Sequence, residues 1–366
     1  MFPVMSSASR INGILFIIML AAMLTYSVPK VVGFARTQEQ ALTLFLDGEL
    51  IRKFEKIYDR EFPLRAISVE GWANLQYLLF KEGSSGVVLG KDGWLFTNEE
   101  YKVPSAYEEV LAEHLERISE VGEQLREHDK RLIVLPVPMK VDIYADQTLV
   151  EMDPRAPTLY GEFVNYLRQR HIEVTPLRQS FLLGKQEQPL FLRTDTHWTP
   201  QGASLAAKEF ARLHPELVGQ IRYRSRQVAE KTVNGDLLGF VRFSKWLDPQ
   251  LFAGDPIPLY ETINAEQQVD ANQLFGDSSQ SIMLVGSSYT KIEDWNFPGF
   301  LKESLQNDML TIATEALGPF HAMDQFLAGE HLDNRNIKTV IWEFPVRTLL
   351  TRQASEQSTQ TLKQLF

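Results

Sequence analysis

Three side chains that together could activate a hydroxyl group for nucleophilic attack occur in two short stretches of this 366-residue chain. Asp195 and His197 stand two positions apart, and Ser288 follows a Gly-Ser pair further along the chain. A serine is a weak nucleophile until a positioned base takes its proton, and an imidazole does this best near neutral pH. These residue types predict acyl transfer, with Ser288 as nucleophile, His197 as base and Asp195 as the carboxylate that orients the imidazole.

The elements beside these residues indicate how they are positioned. Thr199 and Pro200 suit the N-cap and the first position of a helix, and the apolar spacing that follows is helical. Because alternate residues of an extended segment point the same way, Asp195 and His197 can address one site. Residues 282–285 predict a buried strand, so the turn after them presents a serine hydroxyl at the edge of a sheet.

Each of these residues also has a purely structural interpretation. Asp195 alone could be a helix cap, His197 a hydrogen-bonded histidine at a helix entrance, and Gly-Ser-Ser only a turn that ends a strand. Ser287 is the neighbouring rival for the role of nucleophile. The chain has seven histidines and no His-x-x-x-His pair includes His197. A metal site is therefore not expected, and no cofactor is predicted.

Short apolar runs alternate with helical patterns along the body of the chain. The predicted strands are 132–137, 172–174, 282–285, 309–313 and 339–344. This alternation predicts the α/β class, with a parallel sheet flanked by helices on both faces. Residues 222–280 lack this rhythm and contain several Gly and Pro, which favours an irregular insertion. Apolar stretches on either side of a Lys-Asp-Gly turn predict a hairpin over residues 87–96.

The composition limits the classes of partner. Asp and Glu outnumber Lys and Arg by 47 to 37, so the formal net charge is −10. A nucleic-acid-binding function is not expected, because phosphate recognition needs a basic surface. The absence of cysteine excludes disulfide bonds, thiolate metal ligands and a cysteine nucleophile.

The N-terminal region predicts a membrane anchor. Residues 11–28 carry no charged side chain, and this run is long enough to span a bilayer and longer than a usual cleaved signal core. An uncleaved signal anchor over residues 1–36 is favoured, with a cleaved signal and a buried core helix as alternatives. Residues 37–62 predict a helix leading away from the membrane. The catalytic domain is expected over 37–350, and the Gln- and Ser-rich residues 351–366 are expected to form a loosely held tail.

Four motifs give the sequence a family resemblance. They are Gly-Lys-Asp-Gly-Trp-Leu-Phe from residue 90, Asp-Thr-His-Trp from 195, Gly-Ser-Ser-Tyr from 286 and Trp-Glu-Phe-Pro-Val-Arg from 342. In these motifs and their order the chain resembles the AlgJ/AlgX family of SGNH-hydrolase-like polysaccharide O-acetyltransferases over residues 60–350. It is more similar to the single-domain, membrane-anchored AlgJ type. The resemblance implies an SGNH-like fold with a circularly permuted motif order, because the Asp-His block precedes the serine block.

The resemblance also bears on individual site residues. It selects Ser288 rather than Ser287 as the nucleophile, since the family's serine precedes an aromatic residue. The family counterpart of Arg347 lies near the active site. Arg347 could therefore bind substrate, or it could form only a surface salt bridge. The backbone N–H of Ser288 suits an oxyanion hole, and Tyr289 could contribute its own.

Four further residues have expected roles. The rings of Trp198 and Trp295 could stack on the faces of a sugar, or they could fill the core. Lys140 and Tyr144 match positions of the family after an apolar strand, and scaffolding is the role expected of both.

The activity implied by the resemblance is O-acetyl transfer through a serine acyl-enzyme onto an exported polysaccharide, such as alginate or an acetylated cellulose-like polymer. It further implies a periplasmic catalytic domain at the inner membrane, an acetyl-transferring partner of the MBOAT family and other proteins of an export complex. A periplasmic acetylesterase is the nearest alternative, since transfer requires a bound sugar hydroxyl to outcompete water. An inactive carbohydrate-binding scaffold is the alternative from another class.

We predict that the N-terminal segment stays attached, because no clean small-residue cleavage site follows residues 11–28. The protein should therefore sediment with inner membranes and keep its first residues, as membrane fractionation and N-terminal sequencing will test. A mature protein that begins near residue 30 and is free in the periplasm would contradict the prediction.

Overall fold

The computed structural model describes most of the chain. The described residues are 7–62, 65–80, 83, 85–101, 103–265, 281–315 and 317–351. The chain divides into two compact units, Met1–Trp72 and Ala73–Phe366. Residues 37–72, which the sequence assigned to the catalytic domain, therefore fall in the first unit.

The first unit is helical in its described residues. Its helices are α1 (Ser7–Arg36), α2 (Ala41–Leu46), α3 (Glu49–Glu61) and the beginning of α4 (Arg65–Phe80). Within α1, residues Ile11–Arg36 are long and apolar enough to cross a membrane, and an 18-residue window within them has a mean hydropathy of 2.1. The single helix predicted over residues 37–62 is wrong. Gly48 adopts a left-handed φ of 74°, which a glycine accepts without strain and which separates α2 from α3.

The second unit has α/β architecture. After the end of α4, its helices are α5 (Tyr107–Glu127), α6 (Lys140–Ile143), α7 (Ala156–Gln169), α8 (Arg178–Gly184), α9 (Pro200–Leu213), α10 (Ser288–Lys291), α11 (Phe297–Leu305) and α12 (His321–Ala328). Its strands are β1 (Val87–Leu89), β2 (Leu95–Thr97), β3 (Arg131–Val137), β4 (Glu173–Val174), β5 (Tyr223–Val233), β6 (Asp255–Asn264), β7 (Ile282–Gly286), β8 (Leu310–Ala313) and β9 (Thr339–Pro345).

Five strands form a parallel sheet in the order β4-β3-β9-β7-β8. The register pairs Ile341 of β9 with Ile133 of β3 on one side and with Leu284 of β7 on the other. Nearly every residue of these three strands is buried, as is usual for parallel strands covered on both faces. The predicted parallel sheet is confirmed.

The carboxyl ends of the central strands meet at one edge of the sheet. β3 leads into α6, β7 leads through one residue into α10, and β9 continues as a short 3-10 helix over Val346–Leu350. We call this edge the carboxyl edge. In open α/β sheets ligands bind outside the carboxyl ends of the strands, so this edge is where a site is expected.

The segment expected to be irregular, residues 222–280, contains a regular ribbon. β5 and β6 pair antiparallel, and only residues 234–254 between them consist of turns and short 3-10 helices. Pro256 and Pro258 suggested a break in structure. A two-stranded ribbon has open edges, however, where a residue without an N–H is tolerated. Residues 266–280 lie outside the described residues. We call residues 234–254 the lobe.

A small second core joins the lobe to α4 and to the predicted hairpin. The hairpin is confirmed, since β1 and β2 pair antiparallel with Val88 opposite Phe96. The buried residues of this core are Ala73, Tyr77, Val87, Leu89, Leu95, Leu237, Phe243 and Leu251. The end of α4, the hairpin and the lobe therefore form one packed layer.

We predict that Leu284→Ala lowers the free energy of unfolding by about 2–5 kcal/mol, the usual cost of emptying a buried leucine site. Leu284 is fully buried in β7. Urea unfolding of the detergent-solubilised protein, followed by tryptophan fluorescence, measures the change. Leu183→Ala is the control: Leu183 is 65% exposed, so its loss should cost less than about 0.5 kcal/mol. Equally small changes in both variants would contradict the prediction.

Candidate active site

Asp195, His197 and Ser288 form a continuous line of hydrogen bonds at the carboxyl edge. Asp195 Oδ1 lies 2.6 Å from His197 Nδ1, and His197 Nε2 lies 2.8 Å from Ser288 Oγ. The carboxylate contact favours the tautomer with the proton on Nδ1, which leaves the Nε2 lone pair directed at the hydroxyl. Asp195 and His197 are buried and Ser288 is half-buried. The three predicted residues are therefore brought together in an arrangement that can move the serine proton.

Two backbone N–H groups hold the carboxylate of Asp195 in place. The N–H of His197 donates to Oδ1 and the N–H of Asp236 donates to Oδ2, both at 2.9 Å. Burial acts to raise the pKa of Asp195, but the hydrogen bond and charge of His197, together with these N–H groups, lower it to about 2. The carboxylate is thus ionised at neutral pH, so it can orient the ring and stabilise an imidazolium.

Asp236 clamps the residue between the aspartate and the histidine. Its Oδ1 accepts a hydrogen bond from Thr196 N at 2.9 Å and its Oδ2 accepts one from Thr196 Oγ1 at 2.6 Å. A Cβ on the preceding Gly235 would lie 2.0 Å from the carbonyl oxygen of Thr194, so only glycine fits there. No local pattern in the sequence points to Asp236, because the lobe meets this segment only in the folded chain.

The same residues raise the question of a metal. Asp195, His197 and Asp236 offer three ligand atoms within 4.8 Å of one another. Asp195 is already engaged by His197 and two backbone N–H groups, and Asp236 is engaged by Thr196. These three side chains are therefore an imidazole and two carboxylates that hold it and its neighbouring backbone in a fixed orientation.

A buried lysine ties the segment before the aspartate to the hairpin. Lys140 Nζ donates to the carbonyl oxygens of Leu95, Arg193 and Asp195 at 2.5, 2.9 and 2.9 Å. Burial lowers the pKa of Lys140 to about 8, which leaves the ammonium as the prevailing form at neutral pH. One cation therefore connects three backbone positions, in agreement with the scaffolding role expected of it.

A buried carboxylate binds the first backbone N–H groups of α6. Glu100 accepts hydrogen bonds from the backbone N–H groups of Lys140 at 3.2 Å and Val141 at 3.0 Å. Burial raises the pKa of Glu100. Tyr144, the other expected scaffold residue, accepts a hydrogen bond from Leu190 N at 2.9 Å through its hydroxyl oxygen. These contacts fix the loop after β3, and with it the position of Lys140.

Ser287 is engaged by a second buried carboxylate, Glu343 of β9. Ser287 N and Oγ donate to Glu343 Oε2 and Oε1 at 2.9 and 2.8 Å, and Thr290 Oγ1 donates to Oε2 at 2.7 Å. Burial raises the pKa of Glu343. Because Ser287 is bound in this way, Ser288 is the serine that faces His197. The motif containing Glu343 was recognised in the sequence, but its tie to the serine turn needed the β7–β9 pairing.

Tyr289 and Arg347 form a hydrogen-bonded pair next to the triad. The fully buried Tyr289 donates from its hydroxyl to Thr196 O at 2.5 Å and accepts a hydrogen bond from Arg347 Nη1 at 2.7 Å. The N–H of Tyr289 donates to Ser287 Oγ at 3.2 Å. The oxyanion role expected of Tyr289 stays a prediction, since the structure directs its N–H at the side chain of Ser287. Arg347 Nε also lies 3.6 Å from Glu99 Oε2. The role of Arg347 in substrate binding stays a prediction.

Trp198 and Trp295 are core residues. Trp198 is fully buried and Trp295 is 2% exposed. The Trp198 ring lies 5.2 Å from Tyr289 and 4.9 Å from Phe297 between centres, and the Trp295 ring stacks at 5.8 Å on His197. The expectation that they bind a sugar is wrong, because buried rings offer no open face to a ligand. They support the imidazole and its neighbours instead.

The helix that follows the aspartate and the histidine begins as the sequence predicted. Thr199 is the N-cap of α9 and accepts a hydrogen bond from Gly202 N at 3.1 Å, and Pro200 is the first helical residue. The extended segment with Asp195 and His197 therefore ends in a rigid helix start.

This arrangement can be compared with known proteins. Residues 87–346 match the model of the SGNH hydrolase-like domain of acetyltransferase AlgX. The chain belongs to this family. The resemblance inferred from four motifs is thus confirmed, together with the SGNH-like fold, and the family assignment makes the chain an acetyltransferase.

Relatives in the family cover most of the chain. It is 34% identical to the probable alginate O-acetylase AlgJ of Pseudomonas aeruginosa, in an alignment that covers 88% of this chain and 85% of that protein. It is 33% identical to the protein of the same description from Pseudomonas putida, over 91% of this chain and 88% of that one. The solved O-acetyltransferase domain of P. putida AlgJ superposes with a TM-score of 0.67 at 29% identity, covering 77% of this chain and 99% of the domain.

We predict that Lys140→Met lowers the kcat for acetyl-ester hydrolysis at least about tenfold, since small displacements of a catalytic group can cost about a hundredfold. Methionine has a similar volume but no hydrogen-bond donor. The carbonyl groups of Leu95, Arg193 and Asp195 would therefore lose their bonds to the ammonium. Kinetics with a chromogenic acetyl ester measure the effect, and circular dichroism checks the fold. Lys208→Met, at an exposed position of α9, is the control and should keep the wild-type rate. Wild-type kcat in folded Lys140→Met would refute the positioning role.

Proposed function

We propose that this protein is a membrane-anchored polysaccharide O-acetyltransferase that uses Ser288, His197 and Asp195 as a catalytic triad. The observation that carries the proposal is the line of hydrogen bonds from Asp195 Oδ1 through the imidazole to Ser288 Oγ, at 2.6 and 2.8 Å. The family assignment and the relatives described as probable alginate O-acetylase AlgJ support it.

In the first half-reaction Ser288 Oγ attacks the carbonyl carbon of the acetyl donor. The serine proton passes to His197 Nε2, and the ionised Asp195 stabilises the imidazolium. The negative charge on the former carbonyl oxygen needs backbone donors, and the N–H of Ser288 at the start of α10 is the natural one. The tetrahedral intermediate then expels the leaving group, which takes the proton from His197. Acetyl-Ser288 results.

In the second half-reaction a sugar hydroxyl replaces the leaving group. Now-neutral His197 takes the hydroxyl proton as the sugar oxygen attacks the acetyl carbon, and Ser288 departs as its Oγ recovers that proton from the imidazole. The net change is transfer of one acetyl group from donor to sugar. Water attacking in place of the sugar would give hydrolysis, so the bound hydroxyl must be held close to the acyl carbon.

Alginate is the acceptor we propose, because two relatives at 34% and 33% identity carry the description probable alginate O-acetylase AlgJ. The apolar helix over Ile11–Arg36 supports anchoring of the catalytic unit at the inner membrane. We further propose that this unit faces the periplasm and receives acetyl groups through an MBOAT-family membrane protein, within an export complex that includes an AlgX-type protein.

The proposal is tested with the purified full-length protein, a mannuronate oligomer and an activated acetyl donor. We expect acetylated oligomer, detected by mass spectrometry as acetyl increments. Ser288→Ala, His197→Ala and Asp195→Ala should each abolish most of the product, because the three residues act as one unit. Ser287→Ala is the matched control and should keep more activity than Ser288→Ala, since its hydroxyl is tied to Glu343.

Two outcomes would overturn parts of the proposal. Wild-type transfer in Ser288→Ala would refute the triad. Ester hydrolysis without acetylated oligomer, across several acceptors and with the membrane partner present, would make the protein an acetylesterase.

A further inference from the structure

Glu343 is a buried acid beside the serine turn, residues 286–288, and it forms no ion pair with Lys or Arg in the part of the chain that the structure describes. It lies on β9, is 1% exposed, and has the apolar Leu135 of β3 beside it in the sheet register. Lys291 of the adjoining α10 is exposed and lies 3.3 Å from Glu315 instead. The ionisable side chain whose charge acts on Glu343 is His197. The charge of Glu343 is therefore coupled to that of the catalytic imidazole.

The hydrogen bonds around this carboxyl group fit its ionised form. Ser287 N and Thr290 Oγ1 donate to Oε2 at 2.9 and 2.7 Å, and Ser287 Oγ donates to Oε1 at 2.8 Å. An ionised carboxylate accepts all three bonds at once. A neutral acid has to donate one of them, and it then leaves a hydroxyl hydrogen without this acceptor. The arrangement of donors therefore stabilises the anion.

An anion at this place acts on the reaction in two ways. Its bonds to Ser287 and Thr290 fix the backbone on both sides of Ser288. In each half-reaction His197 becomes an imidazolium, and a nearby anion favours that form. Burial works against the anion, because it raises the pKa of Glu343. Both contributions are therefore present above this raised pKa and are lost as the pH falls through it.

We infer that Glu343 is a positioning residue that supports the attack of Ser288 only in its ionised form. It holds the serine turn and opposes the positive charge that His197 gains. Asp195 contacts the imidazole directly, whereas Glu343 acts through the residues on either side of the nucleophile. The inference rests on the triad of the proposed function and goes beyond it, because it adds a second carboxylate to the groups that set the reactivity of Ser288.

The reactivity of Ser288 can be measured without an acetyl donor or a sugar. A fluorophosphonate probe is added to the full-length protein in detergent, and peptide mass spectrometry locates the label. Ser288 Oγ bonds to phosphorus and displaces fluoride, while the serine proton passes to His197. The labelling rate therefore reports on the nucleophile and its base alone.

Three variants separate the charge of Glu343 from its shape. Glu343→Gln keeps the shape of the neutral acid, with a donor facing Ser287 Oγ. Thr290→Val removes one donor to the carboxylate at nearly constant volume. Thr175→Val is the matched control, because Thr175 is fully buried directly after β4 and its Oγ1 lies 2.8 Å from His214 Nε2. Circular dichroism checks the fold of each variant.

We expect Glu343→Gln to slow the labelling of Ser288 at mildly alkaline pH at least about tenfold, since small displacements of a catalytic group can cost about a hundredfold. The ratio of wild-type to Glu343→Gln rates should fall as the pH is lowered, because wild-type Glu343 then takes up a proton and resembles glutamine. Thr290→Val should show the opposite trend. Loss of a donor raises the pKa of Glu343 further, so this variant loses its ionised form first and the ratio rises. Thr175→Val should keep the wild-type rate at each pH.

Wild-type labelling of Ser288 in folded Glu343→Gln would overturn the inference and leave the triad intact. Rate ratios that do not change with pH would also overturn it, because Glu343 would then have only a structural role. If Glu343→Gln does not fold, the pH trend of Thr290→Val decides in the same way. Failure of Ser288 to react in the folded wild type would refute the triad itself, and the inference with it.

Discussion

The site depends on holding an ionised carboxylate inside the protein next to an imidazole. Burial acts to raise the pKa of Asp195 and so favours its neutral form, which could neither select the His197 tautomer nor stabilise the protonated imidazole. The imidazole and the backbone N–H groups of His197 and Asp236 oppose the effect of burial. Together these groups lower the pKa of Asp195 to about 2. The geometry around Asp195 is thus the condition on which the serine chemistry depends.

The segment that carries Asp195 and His197 belongs to no helix or named strand, and one antiparallel bridge between Phe191 and Trp198 closes it. Its backbone is held from outside by Lys140, whose ammonium binds three carbonyl oxygens, and by Asp236, which takes both polar groups of Thr196. Tyr289 adds a hydrogen bond to the carbonyl of Thr196. Hydrogen bonds to charged groups in a buried place are stronger than neutral ones, so a few suffice to make a loop rigid.

Two buried carboxyl groups, those of Glu343 and Glu100, hold the serine turn and the start of α6 in place. Glu343 of β9 takes the N–H and hydroxyl of Ser287, which leaves Ser288 as the serine directed at the imidazole. Glu100 takes the first N–H groups of α6 and so fixes the residue that binds the aspartate segment. Both acids show a raised pKa from burial, and each is paired with several donors, as a buried carboxyl group requires.

Local patterns in the sequence determined much of this protein. Apolar runs identified the strands of the parallel sheet, the Thr199–Pro200 pair marked the start of α9, and residues 11–28 indicated the membrane helix. The aspartate and histidine of the candidate triad also followed from residue types and spacing, because two residues two apart can face the same way, whereas the choice of Ser288 over Ser287 came from the family resemblance. All of these depend on chemistry within a few neighbouring residues.

The tertiary structure decided the rest. Asp236 and Glu343 hold the site through contacts that join distant parts of the chain, to Asp195 and Thr196 in one case and to Ser287 in the other. The burial of the two tryptophans likewise follows from how α9, α10 and α11 pack together. A sequence pattern reports the periodicity of one element, whereas these contacts depend on which elements meet, and that choice is made only when the whole core is formed.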